Sequence, residues 1–533
     1  MPTDCIFFHD TGYFSQLICD YLAEAETLKP LYNRFPNLKN FKDQIKEKQQ
    51  SYSNSNRIPL VDALQEQYKT IETSEATSKN IQLLKSDTTF TVTTGHQLNL
   101  FTEPLYFLFK IVSAINLANQ LKATYPDYNF VPMYWMATED HDFEEINYFN
   151  FKGKKIQWNA SVSGAVGELT TKGLEAVFNV FKDEIGPGKN AKQLKELFKN
   201  AYLKHDNLAQ ATHYLANQLF ADYGLVILDA NKKELKQLFV PFMEDELVNQ
   251  TAFNTVEKTN QQIKKIDNTY KVQVNPRPIN LFYIDNGIRE RLVFENDVYK
   301  VLNTNITWTK TELQKHVSEA PERFSPNVIM RPLYQEVILP NLCYIGGGGE
   351  LAYWFQLKTN FEANKVTFPM LLLRNSVLIK TKQQADKLKK LNISNKDIFL
   401  KRDAFINKKV REISNIDINF SNQIKHLKTQ FKELYTLAEQ TDKTFLGAVS
   451  AQEKKQIKGL EYLEARLLKA QKRKLKDHVE RITTLQNQLF PNQSLQERNT
   501  NFSELYLEFG EELISHLIKN LEPLKGQFLI LEL

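Results

Sequence analysis

"TTFTVTTGHQLNLFTEPLYFLFKIVSAINLANQLKATYPDYNFVPMYWMATEDHDF", residues 88–143, is the stretch that decides the fold. Thr89 to Thr94 are β-branched or aromatic, the composition of a strand. Gly95 is expected to break it. Thr102-Glu103-Pro104 reads as a helix start, with proline near the first turn and a threonine able to cap. An apolar helix then runs to about Leu121, and "NFVPMYWMA" is a second strand, apolar throughout as buried parallel strands are. Strand, crossover helix, strand makes a βαβ unit, right-handed by default.

Outward from this unit the same alternation continues. "GLVILDA" (224–230) is a buried strand, and "NLFYID" and "ERLVFEN" flank a turn at Asn286-Gly287. "FSPNVIMRPLYQEVILPNLCYIGGGGELAYWFQLK" runs strand, helix, strand, glycine loop, helix, and "VTFPMLLLRNSVLI" adds another strand. The pattern predicts an α/β fold with a mainly parallel sheet. Residues 1–85 read as a polar, helical N-terminal part of the core, and 86–378 as the α/β core with inserted segments. From 379 to 490 the chain is rich in Lys, Gln, Glu and Leu. Ile424, Leu427, Phe431, Leu434, Ala438, Thr441 and Phe445 step by threes and fours, and Leu468, Leu475, Ile482 and Leu489 recur every seven. These heptads predict two long helices folded into an antiparallel coiled coil, with the break around "DKTFLGAVSAQE". The tail, 491–533, is helical with an apolar strand-like end that docks on the core.

The length of 533 residues calls for two or three domains. The apolar share of 42%, the charged share of 25% and a net charge of +5 are those of an ordinary globular protein. Such a small net charge gives no general argument for nucleic-acid or membrane affinity. Cys5, Cys19 and Cys343 have neither metal-ligand spacing nor an even number, which fits a reducing compartment and a cytoplasmic protein. No signal peptide and no membrane-spanning run is expected. The basic stretch "KAQKRKLKDHVERI" lies on a heptad helix without the aromatic interleaving of a single-strand binder, so it reads as a solvated face. An RNA-associated or scaffold protein built on a synthetase-like core is the competing reading.

Ligands of an open parallel sheet sit outside the carboxyl ends of its strands. One such end carries Gly95, His96 and Gln97; the other carries Glu139, Asp140, His141 and Asp142. His96 lies before a helix N-terminus, where an imidazole could donate to a phosphate. Carboxylates flanking His141 should favour its cation, and Asp140 or Asp142 could orient it, bind Mg²⁺ or hold an ammonium. No Cys/His set suggests zinc, and no resident metal site is expected. Gly346, Gly347, Gly348 and Gly349 permit positive φ and close approach of amides to a ligand, with Glu350 in the helix that follows. Arg331, Gln335, Arg374 and Asn375 lie beside strand-like segments, where arginines suit carboxylate or phosphate contacts.

Taken together, "TGHQLNLFTEPLYFLFKIVSAINLA", "VPMYWMATEDHDFEEIN" and "RPLYQEVILPNLCYIGGGGELAYWFQL" resemble the BshC family, cysteine ligases assigned to bacillithiol biosynthesis. The resemblance covers nearly the whole chain. It implies a Rossmann-like core akin to nucleotidyltransferases and class I aminoacyl-tRNA synthetases, with inserted connecting segments, a helical coiled coil and a homodimer. It implies that cysteine is joined through its carboxyl group to the amine of glucosaminyl-malate, with ATP as the activating co-substrate and Mg²⁺ as its companion. Gly95-His96-Gln97 then falls where such enzymes carry a HIGH-like phosphate motif, although no KMSKS-like loop accompanies it. His96, Asp140, His141 and Asp142 become the candidate catalytic set, with Asp140 or His141 as base, and the arginines take the malate carboxylates.

Overall fold

The computed structural model describes residues 3–533, and the chain divides into two compact units. One holds the chain up to Leu378 together with Leu495–Leu531; the other holds Ile379–Ser494 with Glu532–Leu533.

In chain order, the elements that frame the first unit are β1 (Thr3–Ile6), β2 (Thr89–His96), α1 (Tyr106–Thr124), β3 (Asn129–Met136), β4 (Val226–Asp229), β5 (Leu281–Asp285), β6 (Ile288–Glu295), β7 (Val298–Val301), β8 (Thr307–Trp308), β9 (Phe324–Pro326), α2 (Met330–Ile338), β10 (Asn341–Gly346), α3 (Gly348–Phe355) and β11 (Met370–Leu373). The central sheet has the order β11-β10-β2-β3-β4, every pair parallel. It is the Rossmann-like parallel sheet expected. Its strands are buried on both faces, and Phe90, Val92, Leu342 and Ile345 pack with Ala114, Leu117 and Leu121 of α1. Burial of such side chains contributes about 1.5–3 kcal/mol each, which is why the near-continuous apolar runs become strands here. A second, antiparallel sheet of order β8-β7-β6-β5-β9 is built from the insertion around Asn286-Gly287.

Three local expectations are corrected. Gly95 does not end β2: Gly95 pairs with Trp135 and His96 with Met136, so the strand extends two residues further. The crossover helix begins only at Tyr106, and Thr102 does not cap it; its hydroxyl is buried without a partner, and Phe101 and Thr102 both have positive φ, at 52° and 57°. The N-terminal part is not wholly helical. Residues of β1 pair antiparallel with the last strand, β12 (Phe528–Glu532), Ile6 opposite Phe528.

The second unit contains the helical hairpin that the heptads predicted. A helix over Ser421–Ala438 turns through Asp442, whose side chain caps a helix over Lys443–Lys474. The turn therefore precedes "KTFLGAVS" rather than falling within it. Phe431, Ala438 and Val449 are buried between the two helices, whereas Leu434 and Phe445 stay 42% and 44% exposed.

Among the buried carboxyls of the first unit, Glu103 is 3% exposed and accepts hydrogen bonds from Asn150 Nδ2 at 2.8 Å and Asn501 Nδ2 at 3.0 Å. Burial outweighs those donors and raises its carboxyl to about 7. A raised carboxyl favours the fold fully below its ordinary value near 4.5 and loses that contribution as pH climbs through 7. The loss corresponds to roughly 3 kcal/mol. Glu103→Gln should therefore flatten the fall in stability between pH 5 and pH 8.5, measured by denaturant unfolding. Parallel curves for the two proteins would show that Glu103 does not titrate in this window.

Candidate active site

The carboxyl ends of β2, β3 and β10 open into a cleft of about 720 Å³. Register explains the convergence. With Gly95 beside Trp135 and Thr94 beside Ile345, the loops that follow these strands leave the sheet at one level. The other wall comes from the inserted sheet and the chain before it, with Arg277, Phe282, Arg289 and Arg291. The cleft thus holds seven lysine or arginine residues, Lys110, Arg277, Arg289, Arg291, Arg331, Arg374 and Arg498, against the carboxylates of Glu139, Asp140 and Glu350.

All three acids are engaged. Glu139 forms an ion pair with the buried Lys236, which also donates to the Phe324 carbonyl at 2.6 Å. Asp140 accepts the His141 backbone N–H at 2.7 Å and Gln97 Nε2 at 2.9 Å. Burial would raise its carboxyl, but the hydrogen bonds from the His141 backbone and Gln97 and the charge of Arg289 hold it below the ordinary carboxylate range. A carboxylate held so low is a weak base, so the expectation of Asp140 as general base is corrected; it is suited to holding an ammonium. Glu350 accepts Lys110 Nζ on both oxygens, at 2.9 and 2.7 Å, Tyr344 Oη at 2.9 Å and the Gly347 N–H at 2.7 Å. Burial pushes Glu350 up, and Lys110 with the two hydrogen-bond donors outweighs that to leave it lowered.

His96 is buried, with Nε2 3.0 Å from the Glu103 carbonyl and its ring against Tyr106 and Phe107. A carbonyl only accepts, so Nε2 carries the ring hydrogen and Nδ1 is left as an acceptor. Burial, aided by the Lys110 charge, lowers the imidazole to about 3. The expected donation from His96 to a phosphate is therefore corrected: the neutral ring has its one N–H committed to the backbone. His141 is half exposed, and Arg289 Nη1 lies 2.6 Å from its Nδ1. A guanidinium always donates, so Nδ1 presents its lone pair to Arg289. Asp142 is exposed and does not line the cleft.

The glycine run reaches the cleft without the conformation expected of it. None of Gly346 to Gly349 has positive φ. Only Gly346 is required for space: a Cβ there would lie 2.9 Å from Leu351 Cδ1, whereas one on Gly347 would make ordinary contacts and one on Gly349 would meet nothing within 4 Å. Gly347 gives its N–H to Glu350, which leaves Gly348 and Gly349 as first-turn amides of α3, without intrahelical acceptors.

Arg331 lies among Trp135, Tyr344 and Trp354, 5.6, 5.7 and 6.0 Å from the ring centres, and donates to Gln335 Oε1 at 3.0 Å and Tyr353 Oη at 3.3 Å. Gln335 is fully buried and is a strut for Arg331, not a ligand contact. Arg374 stacks on Tyr106 at 4.6 Å and donates to Glu497 at 2.7 Å, while its Nε is buried without an acceptor. Asn375 is bonded to Ser113 and to the Glu522 carbonyl and does not line the cleft.

Sequence reasoning missed Lys110, Tyr344 and Arg289. Lys110 could have been found as the one cation inside "LYFLFKIVSAINLA"; Arg289 lay hidden because nothing in a hairpin sequence shows which cleft it faces. Among the described residues no group of three or more His, Cys, Asp or Glu is arranged to hold a metal ion, and no helix is long and apolar enough to cross a membrane.

Two family models match the chain: "Bacillithiol biosynthesis BshC, N-terminal Rossmann-like domain" over residues 1–375, and "Bacillithiol biosynthesis BshC, C-terminal coiled-coil domain" over 377–533. Among curated relatives, proteins of Flavobacterium johnsoniae and Christiangramia forsetii are each 57% identical over all of this chain and 100% and 99% of their own length. One of Cytophaga hutchinsonii is 37% identical over 97% of this chain and 96% of its own. All three carry the name "Putative cysteine ligase BshC". The chain belongs to the BshC family.

If His96 serves by holding the Glu103 carbonyl, a side chain that keeps an N–H donor should replace it. His96→Gln should keep the protein's activity within about threefold, whereas His96→Ala, which orphans a buried carbonyl, should cost about 1–3 kcal/mol of stability. A strong loss of activity in a stably folded His96→Gln protein would return the imidazole to the chemistry.

Proposed function

We propose that this member of the BshC family is a cysteine ligase that joins the carboxyl group of cysteine to the amine of glucosaminyl-malate, releasing bacillithiol. The observation that carries the reading is the cationic cleft at the carboxyl edge of the sheet, with its three acids already engaged. Such a site favours an anionic substrate and the negative charge that develops during acyl transfer.

Amide formation from a free carboxylate is uphill in water, so the carboxylate has to be activated. ATP, when bound, supplies the phosphoryl or adenylyl group for that activation. The residues present fit such a group: the amides of Gly348 and Gly349 open the helix α3, and the Nε of Arg374 is a buried donor lacking an acceptor. Mg²⁺ would be held mainly by the phosphates, as octahedral Mg²⁺ commonly is, because the cleft offers no cluster of uncommitted acids.

The cysteine ammonium is assigned to Asp140, whose low carboxyl stays ionised beside Gln97. The malate carboxylates are assigned to Arg331 and to Arg289 with Arg291 on the opposite wall. Arg331 is pre-oriented by Gln335 and Tyr353, so binding costs it little side-chain entropy. A homodimer and a cytoplasmic location belong to the same proposal. Leu437, Phe445 and Leu463 of the helical hairpin are 53%, 44% and 52% exposed, apolar surface that a second copy would cover. The cysteines are unpaired, as in a reducing compartment.

The test is mass spectrometry of purified protein with cysteine, glucosaminyl-malate, Mg²⁺ and ATP. Bacillithiol is expected, with AMP reporting an acyl-adenylate and ADP an acyl-phosphate. Arg331→Met should lower kcat/KM for the sugar substrate roughly 10- to 100-fold, the worth of charged hydrogen bonds. No thiol product from verified substrates would overturn the reading.

A further inference from the structure

The chain leaves the first unit after Leu378 and re-enters it at Leu495. Just past the return, within the first unit, lies a buried carboxylate to which the reaction as described gives no task. Glu497, in a short helix over Gln496–Asn499, is fully buried. It accepts the Val377 N–H at 3.0 Å, the Ser376 hydroxyl at 3.2 Å and Arg374 Nη2 at 2.7 Å. These partners belong to the four residues that follow β11, 120 to 123 positions earlier in the chain.

The bonds decide which part of Arg374 is left for a ligand. A guanidinium is flat and carries five N–H groups. Nη1 donates to the Asn375 carbonyl at 2.9 Å and the Ser376 hydroxyl at 3.1 Å, and Nη2 donates to Glu497. With both terminal nitrogens held, the plane is fixed, and Nε is the buried nitrogen without an acceptor. Buried donors are normally satisfied. The one spared here lies on the side of the glycine loop: the Arg374 backbone N–H donates to the Gly346 carbonyl at 2.9 Å, and Nε is 3.8 Å from where a Cβ on Gly347 would stand.

The same returning segment fixes what Arg374 rests on. Its guanidinium lies over the Tyr106 ring at 4.6 Å. The residue before Tyr106, Leu105, donates its N–H to the Thr500 carbonyl at 2.8 Å, and Asn501 Nδ2 donates to the Phe101 carbonyl at 2.9 Å. Residues 497–501 thus hold the guanidinium by its fork and anchor the loop that leads to the ring beneath it.

We propose that Glu497 is a positioning residue for the phosphate end of the cleft. It holds the Arg374 fork inward, so that Nε is presented at a fixed place to a phosphate seated on the Gly348 and Gly349 amides. The inference rests on the ligase reading above and on its use of ATP. Glu497 touches no substrate and acts through Arg374. Its charge also balances that of Arg374, so the arginine contributes a directed hydrogen bond more than a net charge. A donor held in this way needs no reorganisation when phosphate charge arrives.

Steady-state kinetics of Glu497→Gln, Arg374→Lys and the double variant test this, with ATP, cysteine and glucosaminyl-malate each varied in turn and thermal melts confirming the fold. Glu497→Gln keeps the size of the side chain and removes the charge that holds the fork. It should lower kcat/KM for ATP about tenfold, the worth of one charged hydrogen bond, with KM for cysteine and for the sugar within about twofold of wild type. Arg374→Lys keeps a cation for Glu497 but has no Nε, and should cost roughly 10- to 100-fold on ATP. Adding Glu497→Gln to it should cost no more than about twofold further, because residues that act as one unit are not additive. Should Glu497→Gln not fold, Ser376→Ala, which removes the hydroxyl bonded to both partners, carries the same cycle with about threefold loss on ATP. An unchanged kcat/KM for ATP, a loss shared equally among the three substrates, or full additivity in the double variant would overturn the proposal. Wild type that yields no thiol product with ATP would overturn the ligase reading itself, and the role of Glu497 with it.

Discussion

The ammonium of Lys110, buried between the Gly95 carbonyl and the Glu350 carboxylate, is the contact on which the site depends. It ties together the end of β2, the crossover helix α1 and the first turn of α3. A lysine inside an apolar helix is costly to bury, and removing one partner of such a pair typically costs 3–5 kcal/mol. Here the cost is offset by a carbonyl and a carboxylate that are themselves fixed, Gly95 by strand pairing and Glu350 by the Gly347 amide and the Tyr344 hydroxyl. Burial pushes the Lys110 ammonium downward, and the Glu350 charge opposes that shift.

The rest of the cleft follows the same logic of committed acids and spare cations. Each carboxylate that lines the cleft is neutralised or hydrogen-bonded by the protein, whereas the Nε groups of Arg289 and Arg374 lack acceptors. The field in the cleft is therefore set for incoming negative charge. Preorganised donors in a partly dry site act more strongly than the same groups in water, because they need no reorganisation as charge develops. The inserted sheet contributes to this by bringing Arg289, stacked on Phe282 at 4.0 Å, against the loop that carries His141.

The parallel sheet was legible because its strands are apolar on both faces and its crossover helix is long. The position of the site was legible for the same reason, since strand ends follow from strand assignments. The individual roles were much less so. His96 and Asp140 look like acid–base groups in sequence, yet burial and a backbone carbonyl fix the first as a neutral strut, and hydrogen bonds from residues 97 and 141 make the second a weak base. The glycine run suggested unusual backbone angles, whereas none has positive φ and only Gly346 needs room, beside Leu351. Gln335 and Asn375 were near the site in sequence, but their side chains bond to the packing around it. Arg289 and Tyr344 depend on contacts far apart along the chain, which no local pattern reports. The heptads gave the helical hairpin but not its turn, because Asp442 capping, rather than the apolar repeat, decides where the second helix begins.

The ligase proposal requires the cleft between β2, β3 and β10 to bind activated cysteine. The most direct measurement is a crystal structure with a non-hydrolysable cysteinyl-adenylate analogue. Its phosphate mimic is expected at the Gly348 and Gly349 amides beside Arg374, with the cysteine ammonium on Asp140. An analogue seated elsewhere on the chain, with this cleft empty at saturating concentration, would contradict it.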